Sequence, residues 1–190
     1  MLRPARRLRS TTSTDGLRLR LVDQAVLALA LIVADLSVHH TGTEKVLGAF
    51  LVLVLVRAAA IDLRSRKIPN RLTLPAGIWA LFLGLVLHPS GLPAQAVWGL
   101  IAGGFLFLFA VIYPKGLGMG DVKLATVMGL YLGHSVIVAL LLGLLASAIA
   151  GLAVIARRGL AEGRKVGLPL APFLAFGGAV AVLIGPQLVH

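Results

Sequence analysis

Seven Asp and Glu residues occur in a chain of 190, and two of them sit where a carboxylate is hard to keep. Asp62 lies in "AAAIDLRSRKIPN" and Asp121 in "GLGMGDVKL", each at the edge of a long apolar run. An ionisable group in a membrane segment is costly and by default suggests function. Two carboxylates at one level could share a site. Close carboxylates do not both ionise easily, so one keeps a proton. The ionised partner then draws a proton from a water that attacks a peptide carbonyl. The protonated partner donates to the developing oxyanion or the leaving amine. This is aspartic proteolysis, and it needs neither metal nor cofactor. The pair titrates as a unit, so the proton belongs to neither residue alone.

Glycines 116, 118 and 120 surround Asp121. Gly118 and Gly120 would permit positive φ and the close approach of another backbone, such as a substrate strand. The plainer reading is an interhelical turn with Asp121 as a helix cap. The other five acids carry less. Asp15, Asp23, Glu44 and Glu162 are most simply solvated charges. Asp35, near the outer end of a first apolar segment, could be buried and functional, but it can also reach the interface.

The elements that must hold the pair follow from composition. The hydrophobic fraction is 58% and mean hydropathy +0.97, above the roughly 45–50% apolar content of soluble domains. Continuous apolar runs, without alternation, predict an all-α polytopic membrane bundle and not a β-barrel. Expected spans are 22–38, 46–61, 72–88 and 94–113, the last two separated by "HPSGLP". Leu124–Ala156 has no charged residue over 33 positions, a helix of about 50 Å against a hydrocarbon core of about 30 Å. A split at "LGHS" (132–135) makes a short fifth span and a sixth at 135–156, and 168–188 is the seventh. Residues 1–20 read as a flexible basic tail before a single membrane domain, 21–190. The first span has no convincing small-residue cleavage site after it and is expected to be retained.

Charge placement supports the split. With seven spans, 17 of the 18 Lys and Arg fall in segments on one side, with Lys45 alone on the other. The positive-inside rule then places the N-terminus in the cytoplasm and the C-terminus outside. The net charge of +11 is thereby explained by orientation and anionic lipid, and nucleic acid is excluded as a partner. Cysteine is absent, which removes disulfides, thiolate-bound zinc and a Cys nucleophile. Gly99/Gly103, Gly129/Gly133 and Ser147/Gly151 are spaced for close helix packing.

"GMGDVKLATVMG" resembles the G-x-G-D motif of the prepilin peptidases, the aspartic membrane proteases of type IV pilin leader processing. "AAAIDLRSRKIPNRLTLP" resembles their first catalytic segment, and "GLPLAPFLAFGGAV" (167–180) their late P-x-A-P-F-L-A-x-G element. The three occur in the family's order, over about 50–180. The resemblance implies that Asp62 and Asp121 are the catalytic pair. It also implies a cut on the cytoplasmic face of a bacterial-type inner membrane, after a short basic leader and before the pilin's hydrophobic helix. Pro169 and Pro172 would loosen the start of the last span and expose backbone for substrate, or simply start a helix. Lys123 would act on Asp121 or meet lipid phosphates. Larger members carry a cysteine-rich insert linked to methylating the new N-terminus. This chain has none and is similar to the small peptidase-only enzymes of Flp/Tad-type pili. The partner expected is a prepilin-like membrane protein, with oligomeric state open. The competing reading is a small proton- or cation-coupled transporter using the same acids. Against it, both acids lie at a membrane edge and no inverted repeat is evident.

Overall fold

The computed structural model describes residues 42–114, 116–159 and 167–184. The basic tail, Asp35 and the expected first span lie outside them. The described residues form six α-helices and no strand. They are α1 (Gly42–Ser65), α2 (Asn70–Leu87), α3 (Leu92–Ile112), α4 (Met119–Leu132), α5 (Val136–Arg158) and α6 (Ala171–Ile184). Four segments are long and apolar enough to cross a membrane: Val46–Ser65, Asn70–Leu87, Leu92–Ile112 and Met119–Arg158.

The last of these, 40 residues long, is interrupted where expected. A single 3-10 turn, Gly133–Ser135, separates α4 from α5. Gly133 takes φ 55° and ψ −135°, a conformation closed to residues with a Cβ. No atom lies within 4 Å of where its Cβ would be. Gly133 therefore makes the bend and does not pack a helix, unlike its spacing partner Gly129.

Contacts between helices give their directions. Asp62 of α1 meets Ala171 of α6, while Gly48 meets Val182, so these two run antiparallel. Gly99 and Gly103 of α3 lie against Leu130 and Thr126 of α4, again antiparallel. Lys123 of α4 meets Asn70 of α2 and Tyr131 donates to the Ala76 carbonyl, so α2 and α4 run parallel. Gly151 and Gly143 of α5 face Leu168 and Leu174 beside and within α6, an antiparallel pair. Successive helices thus alternate in direction, and the chain reverses at Gly133–Ser135.

Small residues make the close crossings. A Cβ on Gly129 would lie 2.5 Å from the Trp98 carbonyl, and one on Gly177 would meet the Ala139 carbonyl. Without a hydrophobic drive between helices in lipid, such backbone approach and its dispersion contacts hold a bundle. α2 buries Thr73, Ala76, Ala80 and Gly84, one small-residue face at helical spacing. Its large side chains, such as Ile78 and Phe82, face outward. α4 is the exception, with Val122, Leu124, Ala125, Val127, Met128 and Tyr131 all buried. A helix buried on every side sits at the centre of its bundle, and Asp121 stands in its first turn.

Candidate active site

Because the helices alternate, one end of the bundle gathers the C-terminal ends of α1, α3 and α5 and the N-terminal ends of α2, α4 and α6. Asp62 is in the last full turn of α1 and Asp121 in the first of α4. Both carboxylates therefore stand at this end of the bundle. Asp62 is 6% exposed, and Asp121 is partly buried.

α1 ends in a sharp turn. The Arg66 N–H donates to the Asp62 carbonyl at 2.8 Å, and Arg66 takes φ 52°, the left-handed region that often closes a helix. The Ser65 hydroxyl donates to the Ile61 and Lys67 carbonyls. The chain then runs extended through Pro69, φ −75° and ψ 144°, into α2. This short connection passes directly over the start of α4. A Cβ on Gly120 would sit 2.9 Å from the Ile68 Cβ and 3.4 Å from its backbone nitrogen. The glycine before Asp121 thus makes room for the chain's own Ile68, its side-chain Cβ first and its backbone next. Gly118 takes φ −85° and ψ 148°, which any residue adopts, and Gly120 lies in the helix; neither uses positive φ.

The Asp121 Oδ2 accepts a hydrogen bond from the Gly118 N–H at 3.3 Å. This is a cap of the first turn, satisfying one otherwise orphaned donor. Only half of the carboxylate is used. Oδ1 is buried and accepts nothing from the protein among the described residues. Capping alone does not require a second buried oxygen without a partner, and such groups call for an explanation.

Asp62 is held from the opposite side. Its Oδ2 accepts the Ala171 N–H at 3.1 Å. Ala171 opens α6 inside "LPLAPF", where Pro172 has no N–H to offer and the Phe173 and Leu174 amides bond to the Leu170 carbonyl. Proline is tolerated in a first helical turn because its missing N–H would be orphaned there anyway. The backbone donor made available between Pro169 and Pro172 is thus Ala171's, and it serves Asp62. The helix N-terminus also favours the negative charge.

Lys123 has a partner that neither reading named. Its ammonium donates to the Asn70 side-chain oxygen at 2.7 Å. It joins the start of α2 to the first turn of α4, so the Ile68 segment is pinned between Asp62 and Lys123. We expect Asn70→Ala and Lys123→Ala each to lower turnover several-fold. The double variant should be no worse than either single one, as coupled partners behave in a double-mutant cycle; purified enzyme kinetics check this.

Sequence reasoning did not single out Ala171, Ile68 or Asn70. Ala171 and Ile68 act through backbone or bare proximity, which no side-chain type advertises. Asn70 stands in the quoted "IPN", but its partner is 53 residues away. Among the described residues no group of three or more His, Cys, Asp or Glu could hold a metal.

Residues 49–156, spanning both acids, match the family model described as the type IV leader peptidase family. A protein of Burkholderia pseudomallei (strain 1026b) named prepilin leader peptidase/N-methyltransferase is 35% identical over 94% of this chain and 59% of its own length. Proteins of the same name from Pseudomonas aeruginosa and Stutzerimonas stutzeri are each 32% identical. They align over 95% and 78% of this chain and 63% and 54% of their own lengths. The chain therefore spans little more than half the length of these curated relatives. No solved structure matches. With both acids inside the matched segment and the apolar helices that surround them, this chain is an integral membrane protein of the type IV leader peptidase family.

Proposed function

We propose that the chain is a membrane aspartic endopeptidase that removes the basic leader from type IV prepilin-like precursors, of the kind Flp/Tad-type pili use. One observation carries the reading. Two carboxylates from helices remote in sequence lie at the same end of the bundle, each held through one oxygen by a backbone amide. That leaves oxygens on both residues for a shared proton and an attacking water. Asp62 and Asp121 are the catalytic pair. Ala171 and Gly118 orient them, Gly120 and Lys123 position the Ile68 segment, and Pro169 and Pro172 frame the Ala171 donor.

The site end is also where the described basic residues Arg64, Arg66, Lys67, Arg71, Lys123, Arg157 and Arg158 fall. By the positive-inside rule that end faces the cytoplasm, in the inner membrane of a bacterial-type cell. The first span expected at 22–38 lies outside the described residues; counted with the six alternating helices, it gives the seven crossings we propose. The fourteen residues of α4 reach only about 21 Å, so the bilayer thins there or the Asp121 turn lies within it. Cleavage proceeds without methyl transfer, in keeping with a sequence that includes no cysteine.

The test is reconstitution of the chain in lipid vesicles with a precursor carrying a basic leader and an apolar helix. Mass spectrometry should find the leader released in one cut and the new N-terminus unmethylated, with S-adenosylmethionine present. An intact precursor, together with proton or cation flux that vanishes on Asp62→Asn, would establish the transporter instead.

A further inference from the structure

Among the described residues, three buried side-chain oxygens have no hydrogen-bond partner: Asp121 Oδ1, Thr73 Oγ1 and Gln95 Oε1. Gln95 is in the first turn of α3, at the end of the bundle away from the acids. Thr73 is in the first turn of α2, at the same end as Asp121, and is only 3% exposed. The chemistry above uses Asp121 and leaves Thr73 without a role. The backbone explains why its hydroxyl is orphaned. A threonine inside a helix can donate to the carbonyl four residues back, as Thr126 does to Val122 at 3.0 Å. Four residues before Thr73 is the Pro69 carbonyl, which already accepts the Leu72 and Thr73 amides at 3.0 and 3.5 Å. A buried hydroxyl without a partner costs stability. Valine has nearly the same shape and would avoid that cost.

Contacts on both sides fix the level at which Thr73 stands. Ile68 lies against Gly120, and Gly77 against Val127. Thr73, between Ile68 and Gly77 and parallel to α4, is therefore level with α4 within one turn of Asp121. It belongs to the buried face of α2, with Ala76 and Ala80, and Tyr131 of α4 donates to the Ala76 carbonyl on that helix. Towards α1 the connection closes alike at both ends. The Arg66 N–H bonds the Asp62 carbonyl, and the Thr73 N–H bonds the Pro69 carbonyl. Asp62 and Thr73 thus each stand one helical turn from the connection, on antiparallel helices. Thr73 brings a buried hydroxyl to the depth of both acids.

Thr73 Oγ1 and Asp121 Oδ1 do not bond each other, so what both can hold is a third polar group. The attacking water has the matching chemistry. It can give one hydrogen bond to a carboxylate and the other to a hydroxyl oxygen, which keeps a lone pair for the substrate. We propose that Thr73 orients the water that attacks the scissile carbonyl. The water oxygen bonds to the carbonyl carbon as one of its protons passes to the carboxylate pair. Its second hydrogen stays in place, held by Thr73 Oγ1. The C–N bond then breaks as the leaving amine takes a proton from the pair. The inference rests on the protease reading above and adds a third side chain to its site.

The experiment uses the full-length chain in vesicles with the basic-leader precursor described above. Thr73→Val keeps the shape and removes the hydroxyl. It should lower kcat about 10²-fold, the scale on which misplacing a reacting group acts, and leave KM within about twofold. Its unfolding temperature in detergent should equal or exceed that of wild type, because an unpaired buried polar group has been removed. Thr73→Ser restores the hydroxyl and should recover kcat to within about fivefold of wild type. A variant slower yet no less stable is what a residue serving only the fold would not produce. The proposal is overturned if Thr73→Val cleaves within about threefold of wild type. It is also overturned if Thr73→Ser is as slow as Thr73→Val, since the methyl and not the hydroxyl then matters. A lower unfolding temperature for Thr73→Val overturns it too, by assigning the hydroxyl to the fold. If wild type itself leaves the precursor intact, the protease reading fails and takes this role with it, a result distinct from any difference between variants.

Discussion

Asp121→Asn and Asp62→Asn each abolish leader removal, lowering kcat by about 10³-fold or more, while the protein still inserts and stays folded. The size of the effect follows from removing one of two groups that must exchange a proton during the reaction, each such transfer contributing about 10²–10⁴-fold. Retained folding follows from the structure. An Asn oxygen still accepts the Ala171 N–H in place of Asp62, or the Gly118 N–H in place of Asp121. What the amide lacks is a proton to give at one moment and take at the next. Alanine separates the two roles. Asp62→Ala leaves the buried Ala171 donor unpaired, a stability loss of about 1–3 kcal/mol, and Asp121→Ala removes a helix cap, about 1 kcal/mol. Leader cleavage in a co-expression assay, with membrane insertion and unfolding temperature as controls, distinguishes these outcomes. Normal cleavage by either Asn variant would sink the protease assignment.

Gly120→Ala lowers turnover by about 10²-fold, whereas Gly118→Ala stays within about threefold of wild type. A displacement of about 1 Å at a catalytic group costs on that order. A methyl at 120 lands 2.9 Å from the Ile68 Cβ, and the Ile68 segment has no slack to yield. It is tied at one end by the Arg66–Asp62 backbone hydrogen bond and at the other by Asn70 to Lys123. The displacement is thus passed to Asp62 or to Asp121. A methyl at 118 meets nothing nearer than 3.4 Å, the Asp121 carboxylate that Gly118 already holds, and its backbone is in an ordinary extended conformation. Two glycines of one motif, alike in sequence, therefore differ by more than an order of magnitude in consequence. Steady-state kinetics on both variants, with unfolding temperatures to match, check the contrast.

The glycines also show how far sequence reasoning reaches. That glycines cluster beside Asp121 was legible in the sequence. Which of them is pressed, and by what, was not, because Ile68 is 52 positions away and nothing local marks it. The same holds for the proline-framed element at 167–172, whose value lies in one backbone N–H aimed at a carboxylate 109 residues distant. Lys123 was singled out for its charge and proximity to Asp121, and its bond to Asn70, 53 positions away, has no local mark either.

Sequence by itself determined that the chain is helical and apolar, where it must break, and which two acids lie at helix ends. Those properties follow from local hydropathy, from the length a helix needs to span lipid, and from the scarcity of charge. Tertiary structure alone decided how each acid is held and which glycine is pressed by a distant segment. The physical reason is that helices in lipid are positioned by close packing between distant segments, and a backbone amide or a bare Cα that meets its partner through that packing has no signature in its own neighbourhood.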